Sequence, residues 1–431
     1  MGLLPAQNNT SSRWISVKNY LKNEKQELLL VFALLLIGAA LRVSFFWSTD
    51  VTWDEAFNII QGYKVATIFS SQLPLFFAML GLGVIFCIFV LWKKNFAALA
   101  IFGIGAITAV YAFHARISFH PRHPPFYNFL IGTTAFILGI GPEFSAKLIS
   151  TMSLFGIAIA GYFLARKLIG KKAAIAFFGL AMVSPLSIFY SSTAYNAPLA
   201  AFLMYSGITV LLYGIEKKSL LPISGLLFSL AFFTRFTTLL SLFIIMAILY
   251  FNRKKISEYK NELTIFFGTI TLAIIILLPK IFESFFGFVN WQVAALYVRD
   301  IPHYSSHLLF SFAENPIQPS PLFFVKEIIF FFSIIGLIAI IYSIFSAIKH
   351  KNYITTSFAL LFLAYFVFYS FQKFFQDFNY FLDMEFPALL LVIFAFFKLG
   401  EKNAKWIIIL IFLVFFLNSV FIISTHNFKG F

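Results

Sequence analysis

The sequence predicts an all-α polytopic membrane protein, and three observations carry that prediction. Of the 431 residues 61% are hydrophobic and 11% charged, whereas a soluble domain is about one quarter charged. Mean hydropathy is +0.90. Apolar stretches of roughly 20 residues recur from end to end, each long enough to cross a ~30 Å hydrocarbon core. Lys and Arg collect in short loops between these stretches, the positive-inside pattern. The net charge of +15 therefore reflects orientation in a bilayer and contact with lipid headgroups, and nucleic acid is not expected as a partner.

The elements follow in order. Residues 1–27 form a basic cytoplasmic head with Arg13, Lys18, Lys22 and Lys25. The first apolar segment, 28–47, lacks a small-residue cleavage site and reads as an anchor. It crosses outward and delivers "FWSTDVTWDEAFNII" to the far side. Residues 73–92 return to "WKKN", and 96–113 cross outward again. The apolar core at 126–140 would span only roughly 22 Å as a helix. A crossing there would also put "LARKLIGKK" (164–172) outside, against the charge bias. The prediction is instead a helix lying in the outer interface, started by Pro124 and Pro125.

Segment 146–168 crosses inward, and a hairpin of 173–190 and 197–215 turns outside at "YSSTAYNAP". Residues 220–251 are too short for two spans and break at "FFTRFTT". Segment 262–281 leads to an outer loop, 282–322, too long for a plain connection. Segments 323–347, 354–371, 384–399 and 405–424 complete about 13 crossings, with the amino terminus inside and the carboxyl terminus outside. The whole of 1–431 reads as one transmembrane domain with no separate soluble unit. Its outer loop, 48–72 and 114–145, is interrupted by a hairpin at 73–113. The single cysteine, Cys87, lies in an apolar run, which excludes disulfides and cysteine metal sites.

Asp50, Asp54 and Glu55 crowd one short outer stretch of a chain with 17 acidic residues. Asp54 and Glu55 open an amphipathic pattern (Ala56, Phe57, Ile59, Ile60, Tyr63, Ala66). They read either as caps of a helix start or as a general base held against the membrane. "HARISFHPRHPPFY" gathers His114, Arg116, His120, Arg122 and His123, either a basic cluster on anionic headgroups or an anion site beside the carboxylates. Arg235 interrupts an apolar run at the apex of a short hairpin. It either snorkels to the surface or faces a partner or ligand, as ionisable groups at membrane depth do.

Arg299, His303, His307 and Glu314 lie in the outer loop, which is a lid or an ordinary surface loop. "FQKFFQDFNYFLDMEFP" (371–387) adds Lys373, Asp377, Asp383 and Glu385, with Lys373 free to pair a phosphate or one of those acids. No histidine spacing fits a zinc or calcium framework. No phosphate-cradling glycine loop is present on the cytoplasmic side, which argues against an ATP-driven transporter.

"WDEAFNI", "HPPFYNFL", "GPEFSAKLISTMSLFGIAIAGYFLARKLIGKK", "GLLFSLAFFTRFTTL" and "NYFLDMEFPALLLV" occur in an order that resembles the dolichyl-phosphate-mannose protein mannosyltransferase and aminoarabinose transferase-like family. The chain departs from the family pattern at Lys147 and Asn379, where arginines are usual, at Asn196, where some members carry an acid, and in the 73–113 hairpin. The resemblance implies a GT-C fold, a glycosyltransferase of the C superfamily, with interfacial helices in the first outer loop.

It also implies transfer of a sugar from a polyprenyl-phosphate-linked donor to an acceptor hydroxyl on a protein, lipid or glycan. The reaction would take place on the extracytoplasmic side of the cell membrane. Asp54, with Glu55 beside it, would be catalytic. Arg235, Arg122, His123 and Lys373 would hold the donor phosphate, and Tyr195, Asn196, Arg299 and Tyr380 would touch substrate. No metal or other cofactor is expected. One base and an in-line displacement would invert the anomeric carbon. The alternative is a transporter or flippase of a lipid-linked saccharide using the same basic cavity.

Overall fold

A computed structural model describes residues 10–46, 53–92, 95–117, 124, 126–286, 321–350, 352–371, 381–398 and 401–425. Among them the chain is helical, with no strand. The helices are α1 (Thr10–Phe46), α2 (Trp53–Ser71), α3 (Leu73–Trp92), α4 (Phe96–Ile117), α5 (Phe126–Leu138), α6 (Pro142–Leu168), α7 (Lys171–Val183), α8 (Pro185–Ser191) and α9 (Ala197–Gly214). Then come α10 (Leu221–Phe232), α11 (Ser241–Phe251), α12 (Arg253–Ile256), α13 (Lys260–Phe286), α14 (Pro321–Lys349), α15 (Tyr353–Phe371), α16 (Leu382–Lys398) and α17 (Glu401–Thr425).

Six of the described helices are long and apolar enough to cross a bilayer alone, seven counting the bent pair α7–α8; the sequence suggested about 13 crossings. The chain is a multi-pass membrane protein. Its core lies where α9 packs between α6 and α10, with α7, α8 and α16 behind. Outward-facing Leu, Ile and Phe on α1, α13 and α14 supply the lipid-facing surface expected of such a bundle.

The crossing expected at 173–190 is two helices bent by 52°. Pro185 causes the bend, since it donates no hydrogen bond and its ring clashes with the preceding turn. The break leaves carbonyls at 181–183 without helical partners, and distant side chains answer them. The buried Arg42 guanidinium donates to Met182 O at 2.8 Å, Ala181 O at 3.4 Å and Gly38 O at 3.0 Å. Ser419 Oγ on α17 donates to Val183 O at 2.8 Å. Glu385 on α16 accepts from Ser184 Oγ and, at 3.2 Å, from Ser187 Oγ. Backbone groups in lipid must be satisfied internally, and here α1 and α17 do so while α16 accepts from the serine side chains at the break.

The apolar run at 323–347 is likewise interrupted. Ser333 takes φ 62°, ψ 172°, a region that costs a non-glycine residue about 1–3 kcal/mol. Just before it, Phe331 stacks on Phe381 at 5.3 Å between ring centroids, and Phe332 meets the same ring at a tilt at 6.1 Å.

Helix α5 starts directly after the two prolines, as the sequence suggests, and packs along α2 and onto α6. Two glycines allow the α2–α5 approach: a Cβ on Gly132 would lie 2.6 Å from Gly62 O, and one on Gly62 would lie 2.3 Å from Ile131 Cγ2. The α2 helix, which carries Asp54 and Glu55, is thus locked to the helix that follows His-Pro-Pro.

Candidate active site

The site is built from helix ends and breaks. Along one face of α2, Glu55 and Asn58 grip a single residue of the α8–α9 turn. Glu55 Oε1 accepts from Ala194 N at 2.7 Å, and Asn58 Nδ2 donates to Ala194 O at 2.9 Å. Both side chains are buried. Spacing of i, i+3 places them side by side on a helix, so the pair reads as a clamp on the "YNAP" turn.

Two residues further on, Asn196 Nδ2 donates to Thr234 O at 3.1 Å. The first amide of α5, an orphan donor at a helix start, is met by Phe233 O at 3.1 Å from Phe126 N. The break between α10 and the 3-10 turn Phe236–Leu240 is therefore held by α5 and by the turn that α2 grips. Through these tethers the start of α2 is coupled to Arg235.

Arg235 is extended (φ −157°, ψ 129°), with its side chain 10% exposed and one guanidinium nitrogen 3.6 Å from Asp383 Oδ2 at the start of α16. Asp383 is fully buried. Its Oδ2 also accepts from the Tyr369 hydroxyl and, at 3.2 Å, from Thr237 Oγ1. The Tyr205 hydroxyl donates to its backbone carbonyl. Its other oxygen, Oδ1, has no hydrogen-bond partner among the described residues. A cation at membrane depth with a carboxylate beside it is the paired arrangement that low dielectric demands.

The structure links Glu55, through Ala194, and Asn196, through Thr234, to the break that carries Arg235, and Tyr195 lies between Ala194 and Asn196 in the chain. Tyr195 stacks edge-on against Tyr190 at 5.7 Å, and its carbonyl accepts from Ser150 Oγ at 3.5 Å. Asp54 occupies the first turn of α2, and its side chain lies outside what is described. Arg122, His123, Arg299, Lys373 and Tyr380 also lie outside the described residues. Lys147, which stands where the family has arginine, pairs with Glu143 at 2.8 Å.

Asp383 is the residue that sequence reasoning missed. The one available signal was that a buried arginine needs a counter-ion, and Asp377, Asp383 and Glu385 were equally eligible. Among the described residues no three of His, Cys, Asp and Glu gather as metal ligands.

The fold and this arrangement define a polytopic helical membrane protein with the GT-C fold. More particularly, residues 122–282 match the family model of the dolichyl-phosphate-mannose-protein mannosyltransferases, which bears out, over that segment, the resemblance carried by the motifs. A search of curated proteins finds no match.

Among solved structures, the Archaeoglobus fulgidus oligosaccharyltransferase in apo form is similar with TM-score 0.54 at 13% identity, covering 92% of this chain and 55% of that one. AglB, the archaeal oligosaccharyltransferase from Archaeoglobus fulgidus in complex with an inhibitory peptide and a dolichol-phosphate, gives TM-score 0.52 at 13% identity, covering 94% and 56%. ArnT from Cupriavidus metallidurans in the apo state gives TM-score 0.48 at 16% identity, covering 76% and 62%. The chain spans 55% to 62% of the length of these structures.

Proposed function

We propose that the chain is an integral membrane glycosyltransferase that transfers a sugar from a polyprenyl-phosphate carrier to an acceptor hydroxyl on the extracytoplasmic face of the cell membrane. The observation that carries this reading is the tethered pair of elements just described. The helix that opens with Asp54 is held, through Ala194 and Asn196, to the break that presents Arg235. The family model matched over 122–282 includes that break, and the fold-level similarity to a dolichol-phosphate complex is consistent with a lipid phosphate ligand.

In this reading the prenyl chain lies in the bilayer with its phosphate at Arg235. Arg122, His123 and Lys373 lie in sequence stretches that lead into α5 and α16 and add positive charge. Arg235 stabilises charge as it builds on the departing phosphate, the contribution that usually dominates such catalysis. Asp54 takes the proton from the acceptor hydroxyl as its oxygen attacks the anomeric carbon, with inversion. Glu55 fixes α2 against the "YNAP" turn. Tyr195, Asn196, Arg299 and Tyr380 face the sugar or the acceptor. The displacement balances with phosphate as leaving group, and this reading expects no metal or other cofactor. The acceptor class, protein, lipid or glycan, is set by the outer loop 282–322.

The test uses the full chain in liposomes with polyprenyl phosphate bearing a labelled sugar, and the Asp54→Asn variant. Transfer by the unmodified chain and its loss by about 10²-fold or more in the variant are expected. Full turnover by Asp54→Asn removes the base assignment. Movement of the lipid-linked sugar across the bilayer without cleavage selects the transporter reading.

A further inference from the structure

The Arg235–Asp383 pair has a geometry unlike a simple structural salt bridge. The separation of 3.6 Å is too long for a hydrogen bond. The carboxylate is fixed by other groups, since Tyr369 and Thr237 both donate to the oxygen that faces Arg235, and Tyr205 holds the same residue by its backbone. The second oxygen is fully buried and without a partner among the described residues. The Asp383 carboxyl group is thus pinned beside Arg235 by donors that do not depend on Arg235.

Resting on the functional reading above, we propose that Asp383 is a built-in counter-charge that opposes the lipid phosphate at Arg235 and thereby sets how fast the polyprenyl phosphate product leaves. A product phosphate on the same guanidinium would sit roughly 7 Å from this carboxylate, and at an effective dielectric of about 20 the repulsion changes a dissociation constant by more than about tenfold. Such opposition acts on substrate and product alike while the phosphate stays charged. It weakens ground-state binding, and release of the newly freed, more highly charged product gains most.

The sign of this effect separates it from a merely structural role. Damage to a binding site weakens binding, whereas loss of a counter-charge tightens it. Asp383→Asn is therefore expected to bind polyprenyl monophosphate about tenfold or more tightly, with kcat and KM both lowered. Thr237→Val removes a donor that favours the ionised form of that carboxyl, so it is expected to bind the same lipid more tightly.

The experiment uses the full chain in nanodiscs of neutral phosphatidylcholine. Binding of polyprenyl monophosphate is titrated in parallel with turnover of polyprenyl phosphate carrying a labelled sugar, and folding is checked by the unfolding midpoint. Unchanged or weaker binding by a folded Asp383→Asn overturns the counter-charge. If that variant does not fold, Thr237→Val decides: tighter binding supports the proposal, and equal or weaker binding overturns it. Failure of the unmodified chain to bind the lipid at all removes the functional reading itself and this role with it. Normal binding without the shift removes only the role of Asp383.

Discussion

Replacing Gly132 by alanine separates the two helices that anchor the candidate base. The new Cβ would lie 2.6 Å from the Gly62 carbonyl oxygen and 2.5 Å from Val65 Cβ. The first of these is backbone and cannot rotate away. Ordinary contact begins near 3.4 Å, so α2 and α5 must part by roughly 0.8 Å, an overpacking that costs about 1–3 kcal/mol. The same displacement moves Glu55 relative to Ala194 and shifts the start of α2 from the Arg235 break. A misplacement of about 1 Å can cost roughly 10²-fold in rate.

The assay pairs a thermal unfolding curve in detergent with the sugar-transfer rate in liposomes. Gly81→Ala serves as control, because a Cβ there meets nothing within 4 Å. A Gly132→Ala protein that matches the unmodified chain in both midpoint and transfer rate would refute the idea that this crossing positions the site.

Two further outcomes concern the bundle itself. Arg42→Met should lower stability by about 3–5 kcal/mol, because two carbonyls at the Pro185 break, Ala181 and Met182, lose their donor and Glu385 loses a nearby cation; a shift in unfolding midpoint no larger than that of a surface variant contradicts this. At the α6–α9 ends, Lys167 lies 2.7 Å from the mostly exposed Glu216 and, by hydrogen bond first and charge second, holds its carboxyl below the usual range. A depressed carboxyl contributes stability above its unfolded pKa and loses it as pH falls through the folded value. Glu216→Gln and the unmodified chain should thus differ slightly near neutral pH at low salt. Their unfolding midpoints should converge in acid and again at about 1 M salt; a gap that persists in acid contradicts the assignment.

What could be read from the sequence was whatever depends on local pattern. Apolar runs announced the spans, and prolines 124 and 125 marked the start of α5. A lone arginine in "FFTRFTT" marked a break that the structure places between α10 and the 3-10 turn. Pro185 was equally visible, yet 173–190 read as one span because the surrounding residues are uniformly apolar. The bend is stable only because Arg42 and Ser419, 140 and 236 residues away, meet the freed carbonyls.

Ser333 gave little local sign, since the glycine in "FFFSIIG" lies three residues on, at Gly336, and the aromatic packing on Phe381 is tertiary. At the site, Glu55 looked like chemistry, and its carboxylate holds the backbone of a turn 139 residues away. The partner of Arg235 was hidden for a similar reason: sequence shows that a counter-ion is required, and only the fold selects Asp383 from its acidic neighbours.

The Pro185 break has a consequence for biogenesis. A ribosome delivers α7 and α8 to the membrane long before α17 exists, so the Val183 carbonyl enters the bilayer without the Ser419 hydroxyl that finally donates to it. The Pro185 break can reach its finished hydrogen bonding only when α17 inserts. Until then the nascent protein carries an open polar notch beside the residues that shape the site. Insertion of α17 and closure of the Pro185 break are in this way the same event.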